Sequence, residues 1–374
     1  MKISPFKLED YFAKYEFTAK YLLCASDCET FSIEELLSFE PESELNLKKL
    51  RLGYTESQGN PALRKEISNL YKNTKPEDIL VFAGAEEGIF ICMNVLLNKE
   101  DHIIVQFPAY QSLFEIANSI GCEITKWVMD EQNNWELDLN YLKDHIKKNT
   151  KAIIINNPHN PTGYLMSKEK FNSIIEIAKK HNPQIFIFSD EVYRLLEYNK
   201  NDRLPNMCDC YDRGISLGVM SKAFGLAGLR IGWIASKNKY LIKKLESFKN
   251  YTTICSSAPS EFLSLLALRN KDRILERNLK IIHNNLQLLV IFFDKNKQLF
   301  DWIKPKAGCI AFPRIILNTG AEKFCLDLFK NSGVLLMPST NFNFEDQHFR
   351  IGYGRKTLLE GLNVLEEYLR KYMD

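Results

Sequence analysis

The sequence predicts an α/β protein: a large domain on a mainly parallel sheet flanked by helices, with a smaller α+β domain beside it. Three observations predict it. Short apolar runs alternate with amphipathic stretches from residue 79 to residue 235. Several runs, among them AIIIN and IFIF, are apolar at nearly every position, which suits strands buried on both faces. After about residue 270 that alternation stops, and a long helical stretch leads into short strand-like pieces. A chain of 374 residues, 45% hydrophobic and 26% charged, has room for two or three domains and a sizeable core. This composition excludes a disordered tail, a collagen-like chain and a coiled-coil rod.

The strand runs are Ile79–Phe82, Ile103–Gln106, Glu123–Met129, Ala152–Asn156, Ile185–Ser189, Ile215–Met220 and Ile231–Ala235. Amphipathic stretches such as Ala85–Leu97, Gln111–Ser119 and Lys168–Lys180 lie between them. Asp272–Lys295 reads as one long helix, followed by strand-like Ile310–Pro313, Val334–Met337 and Phe349–Gly352 and a closing helix, Thr357–Tyr372. The expected division is a large domain over 46–285 and a small domain formed by 1–45 with 286–374. In a parallel sheet, ligands sit at the carboxyl ends of the strands.

The net charge is +2, which offers no electrostatic footprint for nucleic acid or an anionic membrane. Nine cysteines with irregular spacing lack the paired spacing of a zinc site, so the expectation is reduced thiols, no metal and a cytoplasmic location. Glu9 and Asp10 fall where a signal peptide needs an apolar run. The longest uninterrupted apolar run, Leu288–Phe293, is far too short to span a bilayer.

Three segments carry chemistry. In Ser221-Lys222-Ala223-Phe224-Gly225-Leu226-Ala227-Gly228-Leu229-Arg230 a lysine follows a buried strand directly. Alone it is equally a surface lysine on a glycine-containing turn. Asn156-Asn157-Pro158-His159-Asn160-Pro161-Thr162-Gly163 is a stiff, turn-rich loop after a strand, and alone it is equally an ordinary βα turn. Ser189-Asp190-Glu191-Val192-Tyr193 ends an apolar strand on a carboxylate, which is costly there unless it meets a cation or donors, a helix N-cap being the plain alternative. Asn160 and Asp190 are 30 positions apart, Asp190 and Lys222 32, about one βα unit each. All three therefore project from one edge of the sheet.

With these three segments, from about Tyr54 to Arg350, the sequence resembles the fold-type I pyridoxal-phosphate enzymes of the class I/II aminotransferase family. The resemblance implies an aspartate-aminotransferase-like fold and pyridoxal 5'-phosphate as cofactor, bound by the large domain over 46–285, with Asn160 and Arg350 also meeting the substrate. It implies that Lys222 holds the cofactor aldehyde as a Schiff base and then moves the Cα proton. Asp190 pairs with the pyridine nitrogen, Asn160 and Tyr193 bond the phenolate oxygen, and Arg230 clamps the phosphate. Gly84 and Ala85 offer backbone N–H groups to the phosphate, with Ser221 a further donor, and Tyr110 stacks on the ring. Arg350 grips the substrate α-carboxylate, a structural ion pair being the alternative. Tyr54 reaches the neighbouring subunit's phosphate, which implies a homodimer.

The chain departs from that pattern at Val219, where relatives commonly carry a serine, and at Ala83 and Ala85 beside Gly84. The phosphate is accordingly expected to rely on Arg230, backbone amides and Tyr54. The implied reaction moves an amino group from an amino acid to a 2-oxo acid. A C–S lyase or an amino-acid cyclase of the capreomycidine-synthase kind would use the same core residues. Asp27 and Glu29, in an unusual Cys24–Glu29 segment, are candidates for recognising a basic substrate side chain, though such acids are usually just solvated.

Overall fold

The computed structural model describes residues 2–316 and 319–372. Seven strands form its central sheet: β1 (Ile79–Phe82), β2 (His102–Phe107), β3 (Glu123–Val128), β4 (Thr150–Asn156), β5 (Phe186–Asp190), β6 (Gly214–Val219) and β7 (Gly232–Ala235). Their order across the sheet is β1-β7-β6-β5-β4-β2-β3. Only β7 runs against its neighbours, β1 and β6; every other pairing is parallel. The seven runs expected from sequence are these seven strands.

The period of two explains why the runs are apolar throughout. Ile154 and Phe188 pack into one apolar cluster, and Ile153, Ile155 and Ile187 into a second. Successive side chains point to opposite faces, so each face of the sheet feeds its own core. Helices such as Ala85–Leu96 and Lys168–His181 supply the covering apolar stripes. The latter starts at Ser167, whose hydroxyl accepts the Lys170 N–H, and ends in Lys179, Lys180 and His181, as the helix dipole favours.

Beyond the 25-residue helix Lys271–Lys295, a three-stranded antiparallel sheet brings Ile310–Ala311 and Met337–Pro338 to either side of Phe349–Gly352. The N-terminal segment joins this part of the molecule, because Tyr21–Leu22 pairs in parallel with Val334–Leu335. Gly352 is packed so closely on that segment that an added Cβ would lie 1.7 Å from the Ala25 carbonyl oxygen. Residues 23–29 are thereby fixed between the two halves, above the carboxyl ends of β4, β5 and β6. No helix among the described residues is long and apolar enough to cross a membrane.

Candidate active site

The register of the sheet places Asn156 opposite Asp190, and Asp190 opposite Leu217, so the loops that follow β4, β5 and β6 leave one edge together. They form the floor of a cavity of about 600 Å³. Asn160, Asp190, Tyr193, Ser221, Lys222, Arg230, Ala85, Tyr110 and Arg350 all line it. Gly84 lies just beneath, against Arg230.

The asparagine loop is held by its own side chains. Asn156 Nδ2 donates to the Asp190 carbonyl at 2.9 Å, and its Oδ1 accepts the Asn160 N–H at 2.6 Å. His159 is buried, and burial lowers its pKa to about 3, so the ring is neutral. Its Nε2 lies 2.9 Å from the Pro108 carbonyl, which can only accept; Nδ1 is left to accept from the Thr162 hydroxyl at 2.8 Å. Gly163, at φ +70°, has Pro305 where a Cβ would go, 2.6 Å away. The loop therefore has one conformation, and Asn160 is displayed rather than free to swing.

Asp190 is buried, and its carboxylate accepts one backbone hydrogen bond, from Val192 N–H at 3.1 Å. That does not offset the desolvation, and its pKa is pushed up to about 7. Lys222 Nζ donates to Ser26 Oγ at 2.8 Å, and burial lowers the lysine's pKa, with Asp27 opposing and Arg350 reinforcing the shift. Tyr193 donates to the Ser26 carbonyl at 2.9 Å, and burial raises its pKa. Ser26 thus meets both the lysine and the tyrosine.

At the other end of the cavity, Gly84 precedes the helix Ala85–Leu96 with φ +86°, and an added Cβ would stand 2.4 Å from Arg230 Nη2. The turn and the guanidinium therefore share one small space. The buried Ser221 hydroxyl has no hydrogen-bond partner. Glu86, held by Ser112 Oγ at 3.1 Å, has its pKa raised to about 7 by burial. Arg350 is 1% exposed; Nη1 donates to Asn160 Oδ1 at 3.2 Å and Nη2 to the Cys24 carbonyl at 2.9 Å, while Nε has no partner. It forms no ion pair with any described carboxylate.

The fit to a phosphorylated pyridine is good on these grounds. The buried Ser221 hydroxyl lacks an acceptor, the buried Asp190 carboxylate has no ion-pair partner among the described residues, and a helix N-terminus faces a guanidinium across Gly84. Comparison with known proteins agrees. The family model described as aminotransferase class I and II matches residues 18–362. The chain belongs to the class I and II aminotransferases. They depend on pyridoxal 5'-phosphate, and the chain is an enzyme of this transferase family. A PLP-dependent aminotransferase from Streptococcus suis 89-1591 is 33% identical, with a TM-score of 0.93 over 100% of this chain and 99% of that one. The aspartate aminotransferase of Pyrococcus horikoshii is 30% identical over 84% of this chain and 83% of that protein. The capreomycidine synthase of Streptomyces vinaceus is 26% identical over 97% of this chain and 93% of that protein.

Of the residues expected from sequence, Tyr54 lies away from the cavity: it is 91% exposed, near an exposed Leu52. Tyr110 lines the cavity, with its hydroxyl donating to Glu9 at 2.7 Å. Glu29 is spent on the Lys356 N–H at 2.8 Å, and Asp27 is clamped by Arg355 through bonds of 3.1 and 3.0 Å. Sequence reasoning missed Ser26, Arg355, Glu86 and one face of the first helix, Lys7–Tyr15, with the residue that caps it. That face had a signal: Glu9, Phe12 and Glu16 fall at helical spacing.

Proposed function

We propose that the protein is an amino-acid aminotransferase, moving an amino group from an amino acid to a 2-oxo acid, with Lys222 as the proton carrier. The observation that carries this reading is Arg350. It is a buried guanidinium with an unpartnered Nε and no anionic partner among the described residues, in the same cavity as Lys222. A buried arginine in that condition suits a ligand carboxylate.

Pyridoxal phosphate, when bound, supplies the electron sink for the charge left at Cα as its proton departs. Arg350 fixes the substrate α-carboxylate and so turns the Cα–H bond towards Lys222. Lys222, whose ammonium form is disfavoured by burial, would accept that proton at Nζ and serve as its carrier. Asp190 would keep the ring nitrogen protonated, Asn160 and Tyr193 would hydrogen-bond the phenolate oxygen, and Tyr110 would cover the ring. Arg230, Ser221 and the N–H groups of Gly84 and Ala85 would hold the phosphate, and in a homodimer Tyr54 from the second copy would complete it.

A second reading, an amino-acid cyclase, draws support from the similarity to capreomycidine synthase over nearly the whole chain. It would use the same proton abstraction. One experiment separates the readings. The purified holoenzyme is mixed with single amino acids, and the products of one turnover are counted. Pyridoxamine phosphate and 2-oxo acid in equal amounts support the aminotransferase. A cyclised product, or released ammonia or thiol, would overturn it in favour of a cyclase or C–S lyase.

A further inference from the structure

We propose that the amino acid bound in this cavity carries a cationic side chain, an ammonium or guanidinium, and that Glu16, assisted by Glu9, receives it. The proposal rests on the cavity being an amino-acid site, and it adds the charge of the side chain.

The charges around the cavity can be sorted by position. Asp190, Arg230 and Glu86 belong to the floor and the phosphate end. Arg350 is the buried, incompletely partnered cation that fits an α-carboxylate. Arg355 and Asp27 cancel each other in a two-point pair, with both side chains largely buried. Lys222 lies on the floor, where Glu9 acts on it from a distance, and this leaves Glu9 and Glu16 without an ion-pair partner among the described residues on the wall that the N-terminal helix presents, Arg355 being the nearest cationic influence on Glu16. Glu9 accepts one neutral hydrogen bond, from the Tyr110 hydroxyl. Glu16 makes no hydrogen bond and no ion pair with its carboxylate among the described residues.

Glu16 is both the C-cap of the helix Lys7–Tyr15, where the dipole disfavours a negative charge, and the first residue of the 3-10 turn Glu16–Thr18, where it is favoured, so helix electrostatics do not account for it. It is partly buried, and burial raises its pKa, with Arg355 as the opposing influence. No hydrogen bond or ion pair among the described residues accounts for the carboxylate, which lines the cavity. Phe12 lies between the two acids on the same helix face and lines the same cavity. It offers an apolar surface to an aliphatic stem, as a lysine, ornithine or arginine side chain needs when only its tip is charged. The Asp27–Arg355 pair closes the alternative: a dicarboxylic substrate could recruit Arg355 only by leaving Asp27 unpaired.

The test uses 2-methyl amino acids, which lack a Cα proton and so report binding without turnover. Dissociation constants for 2-methylornithine, 2-methylleucine and 2-methylaspartate are measured by titration of the holoenzyme. The expected order is ornithine analogue tightest, by at least tenfold over the leucine analogue, with the aspartate analogue weakest. In Glu16→Gln the ratio of the ornithine to the leucine analogue falls towards one. Equal affinities in the natural enzyme, or a preference for the aspartate analogue, would overturn the proposal without the variant being needed. A cationic preference with no 2-oxo acid formed from ornithine would uphold it while sinking the aminotransferase reading.

Discussion

The loops at the carboxyl edge of the sheet and the N-terminal segment over residues 6–29 line the same cavity, yet they are built in opposite ways. Each sheet loop carries its functional residue within a few positions of a strand end, and the parallel register aligns those ends. The N-terminal segment has no such frame. Its place is fixed by distant partners: Gly352 beneath Ala25, Arg355 on Asp27, and Val334–Leu335 beside Tyr21–Leu22. Under the proposed function the sheet edge supplies the chemistry and the segment packed from afar supplies the charges that choose among substrates. The two tasks are then separated along the chain although they meet in one cavity.

The largest expected effect belongs to the sheet edge. Lys222→Ala removes the proton carrier, and single-turnover formation of 2-oxo acid should slow by about 10²–10⁴-fold. Added methylamine should restore part of the rate, since a small amine can occupy the space the side chain leaves. A variant that retains the full rate would mean that another group moves the proton, and the division between the two regions would lose its basis.

Next comes the buried carboxylate. In the unfolded chain Asp190 ionises near its ordinary value, whereas in the cofactor-free fold it holds its proton to about pH 7. Between those limits the unfolded state binds fewer protons, so this residue's contribution to stability falls as pH rises, by about 1.4 kcal/mol per pH unit and up to about 4 kcal/mol in all. Asp190→Asn has no charge to bury. Urea denaturation of the cofactor-free proteins should show the variant gaining on the natural chain between pH 5 and pH 8. A constant difference across that range would place a cation or extra donor beside Asp190 already.

How much could be read in advance follows the same division. Asn160, Asp190 and Lys222 were legible because strand periodicity located the ends that carry them, and their spacing is that of successive βα units. Arg350 was legible as a charge inside an apolar strand. Ser26, Arg355 and Glu16 were not. Their roles depend on contacts such as the 196-residue separation between Ser26 and Lys222, which no local pattern encodes. Asp27 was noticed, but its partner was not, and the partner changes its meaning from a free acid to one half of a neutral pair. Tyr54 was expected at a phosphate; in one chain it is open to solvent, and only a second copy can test it.

Arg350 lies on Phe349–Gly352, the central strand of the small sheet. Arg350→Lys keeps the charge but loses the planar fork. It should cost about 2–3 kcal/mol of substrate binding in the transition state, roughly 30- to 150-fold in kcat/KM, with cofactor affinity unchanged. Arg230→Gln should do the reverse, weakening the cofactor by a similar factor, because it faces Gly84 at the other end of the cavity. Crossed effects, in which Arg350→Lys released the cofactor, would show the two ends to be one coupled unit.

The smallest effect tests the sheet edge most finely. Ser221 buries a hydroxyl without a partner, and Val219 and Ala83 offer none nearby. If that hydroxyl donates to the cofactor phosphate, Ser221→Ala should lower cofactor affinity by about fivefold, near 1 kcal/mol. The cofactor-free variant should be no less stable than the natural chain, because a buried unsatisfied hydroxyl costs free energy that a methyl group does not. Equilibrium dialysis of the cofactor and urea denaturation without it give the two numbers. Unchanged affinity with raised stability would make Ser221 a packing residue. The phosphate would then rest on Arg230 and the backbone amides after Gly84 within the chain, and the contribution of Tyr54 from a second subunit would have to grow to match.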